Sequence, residues 1–499
     1  MITKKFVFAA AALVICMIFS AVSCDKSSSD NQNTRDGDSG SENIFAEDSG
    51  PDRENTPDSV PSDLKFDGKT FTVLSREESI WNAEMGVEEE NGDIVNDAVY
   101  KRNKTAEGRF DITVKVVKIP GVWGQEANFN NNVKNSVKAG DNAYDLIAGY
   151  AYFFTPLAAE GFFLNWKKIP HVDFGAPWWA ADLSDKMTID GKLYFMSGDL
   201  SLSFTQKLMC LFFSKQIQQN YDIEDLYQVV LGGKWTYDKF YDTIKNIYTD
   251  LNGNGKKDDE DLFGFVTGTG NGCDQFFVSQ NQPITKKNAD GYPELIFNSP
   301  KTIKITENMI DLFYENPGAF AEDEGKTGTH VEMFKSGRVF TMFGDLSFTE
   351  NFRDMDDDYG VLPYPKFDEA QDKYAGLTQD AYSIFSIPMT CEQPEFVGAV
   401  TEFMAAESYR RVTPAYYETA LKIKYARDEA TSQMLDIIRD GAVFDFAFVN
   451  SNGMNNIIHI FRELAAKKSG DFVSLYEKNE AKYQKALDKI IDAYKDLDG

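Results

Sequence analysis

The stretch from Thr70 to Gly149 alternates strand and helix patterns, and this order constrains the fold more than any other feature of the chain. Thr70 to Leu74 is a short β-rich run, and Val95 to Phe110 carries apolar or stem-burying positions at helical spacing. Ile112 to Ile119 alternates again, a helix passes through Val133 and Val137, and Asp145 to Gly149 reads as a buried strand. A βαβαβ succession predicts an α/β fold built on a parallel sheet. The roughly 435 residues from Leu64 onward exceed one simple core and predict two lobes.

Ahead of that body, MITKK precedes an apolar run from Phe6 to Phe19. The run is shorter than the roughly 20 residues of a membrane span and has the form of a secretory signal. Ala21, Val22 and Ser23 stand directly before Cys24, the pattern of a bacterial lipoprotein cleavage site, although Ala21 replaces the usual Leu. The expectation is a signal peptide over 1–23 and an acylated Cys24 as membrane anchor. Residues 24–63 are mostly Ser, Asp, Asn, Gly and Pro with little to bury, the composition of a disordered tether. Several acyl chains would hold such a tether stably to the extracellular side of the cell membrane.

With 51 basic against 79 acidic residues, the formal net charge is −28. That surface repels phosphate backbones, so nucleic acid is not an expected partner; solubility accounts for the charge. Cys24, Cys210, Cys273 and Cys391 include no CxxC pair and imply no disulfide framework. His171, His330 and His459 lack ligand spacing, which argues against zinc or iron. No G-x-S-x-G, P-loop, H-E-x-x-H or dinucleotide fingerprint is present, and the chain is not expected to be an enzyme. A glycoside hydrolase is the enzyme alternative, because it needs only two carboxylates about 5 to 9.5 Å apart.

The strongest local motif runs from Asp250 to Asp261 and matches the calcium loop D-x-[DN]-x-[DN]-G. Asp250, Asn252, Asn254, the Lys256 carbonyl, Asp258 and Asp261 would supply oxygens to a structural Ca2+, with Gly255 at the sharp turn. The twelfth position is Asp where Glu gives bidentate reach. Apolar spacing at Phe240, Ile244, Ile247 and Tyr248 predicts a helix over 235–249 leading in, and Leu262 to Val266 a strand leading out. One loop without a second helix implies structure rather than sensing.

The succession FTVLS, NDAVYKRNKTAEGRF-DITVKVV, YDLIAGYAYFFTPLAAEGFFLNW and DGKLYFMSGDLSLSF resembles the first lobe of maltose-binding-type solute-binding proteins of ABC importers. HVEMFKSGRVFTMFGD and DYGVLPYPKFDEAQDKYAGLTQDAYSIFSIP extend the resemblance toward the C-terminus. It implies a periplasmic-binding-protein type II fold: two α/β lobes joined by a multi-crossing hinge, with a ligand cleft between them. Lobe I would comprise 64–196 and 346–395; lobe II would comprise 197–345 and 396–499, including the calcium loop. The chain would cross near Tyr194 to Ser203, near Thr341 to Phe348, and after about Pro388. The tetrapeptide Gly-Asp-Leu-Ser occurs at the first two, at Gly198 and at Gly344.

The resemblance further implies a monomeric binding protein that passes a mono- or oligosaccharide to an ABC permease. Sugars stack on aromatic rings and bond to carboxylates and amides, and open α/β sheets bind ligands at the C-terminal ends of their strands. That selects Glu77, Glu78 and Trp81 after the first strand, and Tyr150 and Tyr152 after the third. Asp199, Asp345 and Phe348 lie at the crossings, and Gln379, Asp380 and Tyr382 on the re-entering segment. Trp178 and Trp179 suit either a stacking platform or a plug in the lobe base, and Phe448 to Asn452 suits a loop closing over ligand. A surface glycan-binding protein without transport is the non-enzyme alternative.

Overall fold

Three strands come first: β1 (Lys69–Arg76), β2 (Ile112–Ile119) and β3 (Leu146–Tyr150). β1 lies between the other two and runs parallel to both, pairing Lys69 with Ile112 and Val73 with Leu146. Helices Ile94–Phe110 and Glu126–Ala139 connect them. The Asp93 carboxylate accepts from the Val95 and Asn96 amides, 3.0 Å each, and starts the first helix. Gly140, at φ 63°, ends the second. The parallel βαβαβ order expected from the sequence is present in this computed structural model, which describes residues 53–78, 82–322, 328–352, 354–355, 357–425 and 429–497. The signal, Cys24, most of the tether and Trp81 lie outside the described residues.

The remaining strands are β4 (Met209–Ser214), β5 (Tyr248–Thr249), β6 (Leu262–Gly268), β7 (Thr285–Lys287), β8 (Pro293–Leu295), β9 (Ala319–Glu322), β10 (Val339–Asp345), β11 (Tyr359–Leu362) and β12 (Ser383–Ser386). β12 joins β3 antiparallel, giving a first sheet in the order β12-β3-β1-β2. The second is β11-β4-β10-β6-β5, with β9 also on β6, while β7 and β8 form a separate hairpin. Two sheets with flanking helices make the two α/β lobes. Fully buried Phe71, Val73 and Leu74 fill one, and Phe212, Phe263 and Val339 the other.

The chain leaves the first sheet near Met196, which bridges Phe385, and reaches the second at Leu208, which bridges Thr378. Three features differ from the sequence expectation. β11, expected in lobe I, pairs with β4 in the same sheet as β10, so the chain stays with the second sheet beyond Asp345 and the return runs through Leu377 to Ser383. Helix Pro394–Glu407, expected in lobe II, packs on the first: Phe396 meets Phe66 at 4.7 Å and Phe403 meets Phe110 at 5.3 Å. The last crossing follows it, before Thr431 bonds Tyr227 at 2.5 Å. Finally, the helix before the calcium motif spans only Tyr237–Ile244, and β5 and β6 flank the loop as an antiparallel pair. Apolar periodicity cannot separate a helix end from a short strand there.

Trp178 and Trp179 are plugs. Both are buried, and their indole N–H groups donate to the two oxygens of fully buried Glu402 at 3.1 and 2.8 Å. Burial pushes the Glu402 carboxyl up to about 7. Gly198 passes so close beneath this pair that a Cβ there would lie 2.1 Å from the Trp178 carbonyl oxygen. The first Gly-Asp-Leu-Ser thus needs its glycine for close backbone approach, while Gly344 packs under the Phe212 and Phe348 rings.

Candidate binding cleft

The return segment lies directly along the end of β3. Ala151 N–H donates to the Tyr382 carbonyl at 3.1 Å and Tyr152 N–H to the Asp380 carbonyl at 3.3 Å. Fully buried Arg76, the last residue of β1, fixes this corner by donating to the Ala381 carbonyl and the Ser383 hydroxyl, 2.8 Å each. Its guanidinium lies 5.0 Å from the centre of the Tyr150 ring. Tyr150, Tyr152, Gln379, Asp380 and Tyr382, chosen from two distant stretches of sequence, are therefore neighbours.

Asp380 is the electrostatic centre of the group. Gln379 Nε2 donates to its Oδ1 at 2.6 Å. Burial pushes its carboxyl up to about 7; Arg462 and Lys207 oppose that shift and Asp274 adds to it. Both cations are themselves paired. Arg462 Nε donates to Asp274 at 3.1 and 3.2 Å and its Nη2 to Asn271 at 3.1 Å. Lys207 Nζ donates to Asp345 at 3.2 Å and Ser347 at 3.3 Å. Asp345 thus joins the set through Lys207. Lys207 belongs to the first crossing, Asp274 to helix Asn271–Ser279, and Arg462 to helix His459–Ala466.

The wall is aromatic. Tyr152 stacks on Trp123 at 6.0 Å and on His459 at 6.3 Å, and its hydroxyl donates to Asn456 at 2.7 Å. Its hydroxyl pKa is pushed up to about 12, chiefly by burial. Trp123 is 66 % exposed and, with His459, Arg462 and Glu463, lines a cavity of about 440 Å³. First-lobe rings and second-lobe polar groups face one space.

Other selected residues go elsewhere. Glu77 is exposed at the end of β1, and Glu78 accepts from the Gly121 and Val122 amides at 3.0 and 3.1 Å, which holds the loop bearing Trp123. Asp199 accepts from Thr413 at 2.5 Å, away from the Asp380 group, and Phe348 stands against His330 at 6.0 Å. Phe446–Val449 is a short helix capped by Asp445, not an irregular loop; Phe448 lines a separate cavity of about 250 Å³ with Phe277, Ile284, Leu377 and Phe444. Sequence reasoning missed Trp123, Lys207, Asn271, Asp274, His459 and Arg462. Trp123 was within reach, because it follows β2 just as Tyr152 follows β3.

In the 250–261 loop, Asp250 accepts from the Gly253 and Gly255 amides at 2.7 and 2.8 Å, Asn252 from Asn254 at 2.9 Å, and Asn254 from Lys256 at 2.7 Å. These turns curl the chain around Asp258, which receives the Asn254 amide at 2.7 Å. Asp261 is fully buried and accepts from Leu251, Asp258 and Tyr248, 3.2 Å each, so it closes the base of the loop. Among the described residues, no three His, Cys, Asp or Glu side chains are grouped to hold a metal ion. The donors expected from the sequence are two Asn amides and a carbonyl beside Asp groups, and hard oxygen donors of this type suit Ca2+.

No family model matches the chain, and no curated protein matches it. Solved structures do. The galacto-N-biose/lacto-N-biose I-binding protein of an ABC transporter from Bifidobacterium longum, in complex with lacto-N-biose, is 12 % identical with a TM-score of 0.56, covering 84 % of this chain and 97 % of its own. The cyclic α-maltosyl-1,6-maltose binding protein from Arthrobacter globiformis is 14 % identical, TM-score 0.56, covering 84 % and 98 %. An ABC substrate-binding protein from Listeria monocytogenes, in complex with cycloalternan, is 13 % identical, TM-score 0.52, covering 86 % and 100 %. At these identities the likeness establishes the fold, the two-lobed binding-protein architecture expected from the sequence.

Proposed function

We propose that this chain is the solute-binding protein of an ABC importer and takes a mono- or oligosaccharide between its lobes, acting as a binder and not an enzyme. The observation that carries this reading is the union, across one cleft, of the Trp123, Tyr152 and His459 rings with Asp380 and the two ion pairs. Rings cover the apolar faces of a sugar, and carboxylates and amides take its hydroxyls. The neighbours of like fold bind sugars, which supports the same ligand class here.

The N-terminal sequence supports the rest: export, an acylated Cys24, and a tether that lets a monomeric body reach its permease from the outer side of the membrane. Among the described residues no helix is long and apolar enough to cross a membrane. A thermal-shift screen of neutral mono- and oligosaccharides tests the reading. A saturable rise in Tm is expected for one sugar class, with a smaller radius of gyration by solution scattering as the lobes close. No rise with any sugar removes it, and a rise without compaction favours a static glycan binder.

The 250–261 loop is read as a structural Ca2+ site held by Asp250, Asn252, Asn254, the Lys256 carbonyl and Asp258, with Asp261 bracing its base. Saturating Ca2+ at a hundred times its Kd should add about 2.7 kcal/mol of stability. Chelator should reverse this, and Asp250→Ala should abolish it. Equal Tm values with calcium and with chelator would show that the loop is only a turn.

A further inference from the structure

We propose that Asp380 is the residue by which the cleft discriminates among ligands: it accepts from ligand hydroxyls, and the cleft rejects ligands that carry a carboxylate or a phosphate. This inference rests on the sugar-binding reading above and narrows it to a ligand charge class.

The argument begins with the cations, since an anionic ligand needs one to meet. Lys207 is occupied by Asp345 and Ser347, and Arg462 by Asp274 and Asn271. Both pairs are largely shielded from water, with side-chain exposures of 13 and 8 % for the first and 14 and 3 % for the second. Arg76 is fully buried and committed to Ala381 and Ser383. An incoming anion would therefore have to displace a buried carboxylate from its partner, which strands that carboxylate without a counter-charge.

Asp380 is in the opposite condition. Gln379 holds its Oδ1, and no described residue donates to Oδ2. The groups facing it are Gln379 and Tyr382 on its own segment, Tyr150 and Tyr152 from β3, Lys207 from the first crossing, and Asp274 and Arg462 from the two second-lobe helices. Lys207 and Arg462 are each already paired with a carboxylate, Asp345 and Asp274, so the carboxylate of Asp380 is the surplus charge of the cleft. A ligand hydroxyl meets an acceptor there; a ligand carboxylate meets repulsion.

The same geometry makes binding sensitive to pH. The acceptor is the ionised form, and burial brings this carboxyl into titration at about 7. Protonation fills one acceptor site, so affinity should fall as pH falls through that value, by up to about tenfold per unit once below it.

Isothermal titration on the full body tests the proposal, using neutral gluco-, galacto- and xylo-oligosaccharides beside galacturonate and glucuronate oligomers of matched length. The expected result is binding of a neutral series, at least a hundredfold weaker binding of its uronate counterpart, and a neutral-series affinity that drops from pH 8 to pH 5.5. Asp380→Asn, checked for an unchanged Tm without ligand, should bind more weakly and with no such drop. Uronates that bind as tightly as the neutral series overturn the inference and leave the sugar-binding reading standing. A wild-type affinity that is flat across this range, or a drop retained in Asp380→Asn, overturns the role of Asp380. Binding by neither series overturns both readings.

Discussion

Replacing Glu84 by Ala is expected to destabilise the protein by about 3–5 kcal/mol, the cost of leaving a buried charge without its partner. Glu84 is fully buried in the short helix Asn82–Met85, and four donors converge on it. Its Oε1 accepts from Ser201 Oγ at 2.8 Å, Ser203 N at 3.0 Å and Ser203 Oγ at 2.6 Å, and its Oε2 accepts from Ser383 Oγ at 2.5 Å. Ser201 and Ser203 lie on the outward crossing and Ser383 on the return, so one carboxylate ties the two segments that join the lobes. Fully buried Arg76 and Arg102 are its counter-charges. Burial lowers each guanidinium to about 10, and Glu84 is the largest influence opposing that shift in both. Without Glu84 both cations stay buried beside three serines that lose their acceptor. Urea denaturation measures the effect; Ser201→Ala, which removes one of the four donors and the Ser201 cap on Phe204 N, should cost less, about 2 kcal/mol. A Glu84→Ala loss no larger than that of Ser201→Ala would mean the hinge does not depend on this knot.

Trp123→Ala should weaken sugar binding by about 2 kcal/mol, roughly thirtyfold in Kd, while leaving the unliganded protein within about 0.5 kcal/mol of wild type. The asymmetry follows from position. Trp123 is 66 % exposed and contacts Tyr152 and Phe153 along one side, so its outer face has little to lose on mutation and much apolar area to cover when a sugar docks. Titration with whichever neutral sugar raises the Tm gives the Kd, and the same thermal scan without ligand gives the stability. An unchanged Kd would place the ligand away from this wall. A large fall in unliganded stability would make Trp123 a structural residue.

Much of the site was readable because ligand cleft and strand ends coincide in an open α/β sheet. Tyr150 and Tyr152 were found by that rule, and Trp123 would have been had it been applied to β2 as well. Gln379, Asp380 and Tyr382 came from the resemblance of their segment. Asp274 and Arg462 were not accessible: an Asp in NGCDQ and an Arg in HIFREL are ordinary helical residues until two helices nearly two hundred positions apart bring them into contact. Asp199 shows the converse. Its Gly-Asp-Leu-Ser repeat suggested a second cleft residue, but Gly198 is there because the backbone of Trp178 leaves no room for a side chain, and Asp199 turns to Thr413.

The order of strands and helices, the expectation of two lobes and the calcium-type loop pattern are local matters. Each is written in periodicity, composition or spacing over a few tens of residues, and each was available from the sequence alone. What only the tertiary structure decided is which sheet takes β11, which lobe takes the helix from Pro394 to Glu407, and which charges meet in the cleft. A strand's hydrogen-bonding edges do not specify their partner, and an apolar helix face fits either sheet. The choice falls to side-chain packing and charge pairing between residues far apart in the chain, such as Phe396 against Phe66 and Lys207 beside Asp345.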